Sequence, residues 1–150
     1  AQDTWPAQER VFETFLEIGK EFHLPVIVHS RKLEARTLDI VANSGHEQVN
    51  FHCFCGKSKL ALDAASRHQW TFSIPANAHR NEAFQKLMRF LPWENILTET
   101  DAPYLSPEKG ERNEPRNVVG TIELLAQLKG CDKEEAKSRV WGNFKNLFAF

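Results

Sequence analysis

No stretch of the 150 residues approaches the roughly 18 consecutive apolar residues of a membrane span. The opening run, AQDTWPAQER, has neither the basic nor the apolar segment of an export signal. Both absences argue against membrane insertion or export and leave a cytoplasmic location as the expectation. An excess of charge of either sign is missing too: 19 Lys plus Arg stand against 20 Asp plus Glu, a net charge of -1. The bulk balance therefore offers no broad basic surface of the kind that dominates nucleic-acid affinity, and any phosphate-binding charge must be local or supplied by a metal. Cysteine is scarce. Cys53, Cys55 and Cys131 are an odd number at no disulfide-framework spacing, which fits reduced thiols better than a stapled secreted domain. Neither GxGxxG nor GxxxxGK[ST] occurs, which removes the main nucleotide-binding signatures, and no GxSxG elbow exists to activate Ser30 beside His29.

What the chain does contain is a repeat of short apolar runs. With 41% hydrophobic and 26% charged residues, its length suits one globular unit over 1–150 and no comfortable second one. Runs rich in β-branched or aromatic residues start at 25, 49, 70 and 95 (PVIVH at 25–29, VNFHCF at 49–54, WTFSI at 70–74 and NILTET at 95–100) and predict four strands. Helical patterns fill the gaps at 33–43, 58–67 and 81–91. A further amphipathic helix, 6–22, precedes the first strand with Pro6 near its first turn. After the fourth strand, a turn-rich loop over 102–116 holds three of the seven prolines. Helices at 118–129 and 133–148 follow, the second opened by Asp132 and Glu135 as a capping pair. Alternating strands and helices imply a parallel sheet, either open and doubly wound or part of a closed (β/α)8 barrel. Four units are about half of such a barrel, and the missing phosphate fingerprints favour the barrel.

Side chains two apart on a strand share a face, so Ile27 pairs with His29, Asn50 with His52, and Leu97 and Glu99 with Asp101. Reactive groups thus recur at the C-terminal ends of three strands, where (β/α) barrels build active sites. Two imidazoles and a carboxylate form a plausible ligand set for a divalent ion with an open coordination position. Against this stand blander roles. A lone histidine at a strand end is more often a hydrogen-bonded structural residue, and an acid before Ala-Pro often only caps a turn. His52 with Cys53 and Cys55 could instead form a structural zinc site, although the run lacks CxxC spacing and Cys53 should face away from His52. His23, His46, His68 and His79 fall in helix ends or loops, where solvated or capping roles are expected.

The segments LPVIVHSR (24–31), FHCFCG (51–56), ILTETDAPYLSP (96–107) and RNEP (112–115), in that order and continuing to the WGNFKNLF helix, resemble the signature blocks of the TatD family of metal-dependent deoxyribonucleases. The resemblance spans essentially the whole chain. It implies half of a TIM barrel of the amidohydrolase type, four parallel strands alternating with helices, and a one- or two-metal centre (Mg, Mn or Zn) that hydrolyses phosphodiester bonds of DNA. It makes His29 and His52 metal ligands, and Asp101 a ligand to the metal or its water and the catalytic general base. Arg31, Tyr104, Arg112 and Asn113, in loops beyond the strand tips, become candidates for substrate contact. An ester or amide hydrolase is an alternative use of the same centre, and a non-catalytic half barrel is another.

The departures are as informative. The family's HxH pair and metal-bridging glutamate would precede residue 1, and no HxH occurs anywhere in the sequence. Cys55 stands where the family has a small residue such as Ser, and SIPANAHR replaces a glycine-containing block. A single ion held by His29, His52 and Asp101 is the most this chain forms alone. Half a barrel also leaves two strand edges unpaired and its inner face bare, so a homodimer, a rearranged open sheet or a complementing N-terminal half barrel is expected to cover them.

Overall fold

A computed structural model describes residues 4–148. The helix α1 (Trp5–Glu21) opens the chain, followed by β1 (Val26–His29), α2 (Glu34–Ser44), β2 (Val49–His52), α3 (Ser58–Ala65), β3 (Thr71–Ile74), α4 (Glu82–Phe90), β4 (Ile96–Thr98), α5 (Val118–Lys129) and α6 (Lys133–Phe148). All four strands are parallel and lie in the order β1-β2-β3-β4. This is the order of a barrel segment, so the expected alternative of a rearranged sheet is corrected: each strand pairs with its sequence neighbour through a helical crossover. Pro6 sits in the first turn of α1, where its missing N–H costs nothing. At the start of α6 the Glu135 N–H donates to Asp132 Oδ1 at 2.8 Å, the expected cap.

The strands are shorter than the apolar runs suggest. β2 stops at His52 because Cys53 turns into left-handed backbone (φ 46). β4 stops at Thr98, although the Glu99 N–H still donates to Ile74 O at 2.9 Å. Three short 3-10 turns at Ala78–Arg80, Trp93–Asn95 and Pro115–Asn117, absent from the sequence reading, finish the connections.

The two faces of the sheet differ in kind. On the helix-covered face Phe51 stacks on Phe72 (5.3 Å between centroids), with Trp70 and Phe54 edge-on around them. Val28, Val49, Ile74 and Ile96 complete that layer, all buried. Each such side chain contributes about 1.5–3 kcal/mol by leaving water. The opposite face carries Ile27, His29, Asn50, His52, Thr71, Ser73, Leu97 and Glu99, a largely polar row. Alternation is sharp on β1, where Val28 is 4% exposed and Ile27 58%. Among the described residues nothing pairs with the outer edges of β1 or β4, and Phe15, Ile18, Leu24 and Ile27 leave an apolar surface along the β1 edge.

Candidate metal centre

Register brings the two histidines together. His29 lies opposite His52 in the β1–β2 ladder, so both rings stand at the same depth at the C-terminal end of the sheet, 5.5 Å between centroids. The third candidate arrives by a different route. Asp101 lies beyond β4 in left-handed backbone (φ 59), which an aspartate tolerates better than most residues, and its Oδ1 comes within 3.6 Å of His52 Nε2. Lys32, Cys53 and Asp101, each just past a strand tip, all hold positive φ. Such conformations cost of order 1–3 kcal/mol each and persist where the surroundings over-determine them, as at functional sites.

Glu99, which shares a strand phase with Asp101, completes the cluster. Glu99 Oε2 accepts a hydrogen bond from Ser73 Oγ and lies 2.6 Å from His52 Nδ1. Its other oxygen, Oε1, is buried and meets no hydrogen-bond partner among the described residues. Burial pushes the Glu99 carboxyl above its ordinary range; the Ser73 hydrogen bond and the His52 ring pull it back, and Asp101 adds a smaller upward push. The signal was in the sequence, since Glu99 shares a strand phase with Asp101, but pairing with Ser73 is a cross-strand fact.

Imidazole donors on the adjacent tips of β1 and β2, with a carboxylate brought in from beyond β4, suit a divalent ion. Two imidazoles sharing a tetrahedral ion at about 2.1 Å would hold their centroids about 5 Å apart, close to the spacing of His29 and His52. His52 carries a carboxylate on Nδ1, the outer-shell partner that metal-bound histidines usually have. As arranged, however, no three His, Cys, Asp or Glu side chains among the described residues converge into a ready ion cage. The donor set fits an open site that needs a small side-chain adjustment. Cys53 is a poor rival ligand: it is buried, and burial, with Cys55 beside it and the Glu99 and Asp101 charges within electrostatic reach, pushes its thiol far up. Cys55 is exposed, with its Sγ directed to Cys53 O at 3.1 Å.

The loop residues divide. Arg31, Tyr104 and Arg112 are exposed beyond the strand tips. Asn113, expected to contact substrate, is 2% exposed; its amide donates to Thr100 O and Tyr104 O, both at 2.6 Å, while Oδ1 accepts from Glu114 N and Asn117 Nδ2. That side chain clamps the loop behind Asp101. His46 likewise departs from a solvated role: it is buried, with Nε2 3.0 Å from Leu24 O, and its carbonyl accepts from Trp70 Nε1. A cavity of about 410 Å³ opens beside His52, Ser73 and Glu99 and runs under Leu97, Trp141 and Phe144. A larger one, about 580 Å³, lies at the other end of the strands around Glu47, His68 and Glu94, remote from these residues.

A family model described as "TatD related DNase" matches residues 1–149. The chain is 35% identical to an uncharacterized metal-dependent hydrolase of Methanocaldococcus jannaschii, over 97% of this chain and 57% of that protein. It is 38% identical to the human deoxyribonuclease TATDN3, over 94% of this chain and 51% of that protein. Among solved structures, a TatD homolog of Escherichia coli superposes with a TM-score of 0.87 at 20% identity, covering 98% of this chain and 58% of that one. The chain thus spans about half the length of the relatives it matches, and its four βα units have the fold of half of a TatD-type TIM barrel. On these matches, joined to the strand order above, the chain belongs to the family of TatD-related DNases.

Proposed function

We infer that this chain is the C-terminal half of a divalent-metal-dependent hydrolase that cleaves phosphodiester bonds of DNA, with His29, His52 and Asp101 holding a Mg, Mn or Zn ion. One observation carries the reading: His52, engaged by Glu99 through Nδ1, presents Nε2 to Asp101 while His29 stands at the same depth on the neighbouring strand. A bound ion would polarise the phosphodiester and acidify an attacking water. Asp101, beside that position, would accept the water's proton as general base. Exposed Arg31 and Arg112 would neutralise phosphate charge locally, which a chain of net charge -1 requires, and exposed Tyr104 would offer a base or sugar a flat surface. Three protein donors are fewer than the family resemblance implies, so full activity would need further donors from a complementing N-terminal half.

The ester or amide hydrolase reading draws on the balanced charge and on the archaeal relative, named only as a metal-dependent hydrolase. Mn²⁺- or Zn²⁺-dependent hydrolysis of single-stranded DNA, measured beside a panel of small esters and amides, separates the two. Cleavage of DNA that Asp101→Asn reduces about 100-fold or more is expected. Ester turnover without DNA cleavage transfers the function to the second reading. No turnover of either class, even with the missing half supplied, leaves a non-catalytic fragment.

A further inference from the structure

The inner face of the sheet holds a line of polar side chains that no ligand role uses. Thr71 Oγ1 donates to Asn50 Oδ1 at 3.0 Å, Asn50 Nδ2 donates to Ser73 Oγ at 3.1 Å, and Ser73 Oγ donates to Glu99 Oε2. Thr71, Asn50 and Ser73 are all buried. Burying three such groups is costly unless each is satisfied, and here each satisfies the next. The line crosses three strands, β2, β3 and the end of β4; Thr71 Oγ1 also lies 3.5 Å from Val49 O, and from Asn50 onward each donor points toward Glu99.

That direction has a chemical consequence. A hydroxyl that accepts from an amide must spend its own hydrogen elsewhere, and Ser73 spends it on Glu99 Oε2. With the carboxyl ionised, Oε2 has no hydrogen of its own to give, so it meets His52 as an acceptor and the hydrogen between Oε2 and Nδ1 belongs to the imidazole. We propose that Thr71, Asn50, Ser73 and Glu99 form a one-directional hydrogen-bond relay that holds His52 in the Nδ1–H tautomer, leaving a bare lone pair on Nε2 facing Asp101. Free imidazole side chains in water favour the opposite tautomer, so the relay reverses an intrinsic preference. These are positioning residues: they act through His52, and the lone pair is what an ion or a proton-bearing ligand would find there. The proposal rests on the reading of His52 as a functional ligand, but the tautomer exists without any ion.

Nitrogen-15 spectra of histidine-labelled intact protein, stripped of divalent ions and held at mildly alkaline pH, read the tautomer directly. His52 is assigned by its loss in His52→Gln. The relay requires a pyrrole-type shift at Nδ1 and a pyridine-type shift at Nε2. Glu99→Gln, whose amide oxygen can accept both hydrogen bonds, should keep that pattern; Glu99→Leu should lose it. Ser73→Ala should mix the two tautomers and Ser73→Thr, which keeps the hydroxyl, should restore one. An Nε2–H tautomer in the wild type, or a Ser73→Ala spectrum identical to wild type, overturns the proposal, and the first needs only the His52→Gln variant used for assignment. Mn²⁺ affinity is read in parallel and should fall about 10- to 100-fold in Glu99→Leu. The expected tautomer with no metal binding at all would sink the ligand reading and leave the relay standing.

Discussion

At the scale of single residues, Glu99 shows stability and function pulling apart. Its carboxyl sits above the ordinary value of 4.5, mainly because burial penalises the charge. A raised value means that folding favours the protonated form: the stability Glu99 contributes is fully present below about pH 4.5 and is lost as pH rises through the raised folded value. In the metal-free protein, Glu99→Gln should therefore match wild type in acid and melt higher at neutral pH, by about 2–4 °C for each kcal/mol relieved. Thermal melts of both proteins across pH check this, and equal melting temperatures at neutral pH contradict it. His52→Ala should abolish detectable Mn²⁺ binding by calorimetry, and Asp101→Asn should weaken it. Undiminished binding in both would remove these residues from any metal centre.

At the scale of elements, the loop after β4 is held at its two ends by different side chains: Arg80 donates to Ser106 O, and the Asn113 amide closes the turn around Asp101. Asn113 satisfies the carbonyls of Thr100 and Tyr104 on either side of Asp101, and its own N–H donates to Pro103 O at 3.0 Å. Replacing it with Ala removes the side-chain bonds and leaves the part-buried carbonyls of Thr100 and Tyr104 without them, at a cost of about 1–3 kcal/mol. Denaturant melts should show that loss, together with weakened metal binding although Asn113 contacts no ion. A variant as stable as wild type would mean the loop holds itself. On the other side of the sheet, Phe72→Ala removes the ring stacked on Phe51 and should cost about 3–5 kcal/mol.

For the whole molecule, the edges of β1 and β4 and the apolar strip of Phe15, Ile18, Leu24 and Ile27 set the expectation. Parallel strands are ordinarily covered on both faces and closed or capped at their edges. On its own the chain should self-associate: sedimentation velocity should show a dimer or larger species that Ile27→Lys weakens, and an added N-terminal half barrel should replace the self-contact. A compact monomer that binds no hydrophobic dye would contradict both.

The order of elements was legible in the sequence because periodicity is local. Runs two dozen residues apart announced four βα units, and the bounds of α5 and α6 follow from their apolar spacing and from Asp132. Strand phase likewise determined that His29, His52 and the acidic end of β4 share a face. What only the tertiary structure decided are the contacts that cross strands. Ser73 beneath Glu99, Asn50 beneath Ser73, and Asn113 behind Asp101 depend on register and on loop closure over 13 to 26 residues. No single window of sequence contains both partners of such a bond. Side-chain burial follows the same division: Asn113 and His46 read as loop polar groups, yet both are buried because their hydrogen bonds are met by backbone brought in from elsewhere in the fold.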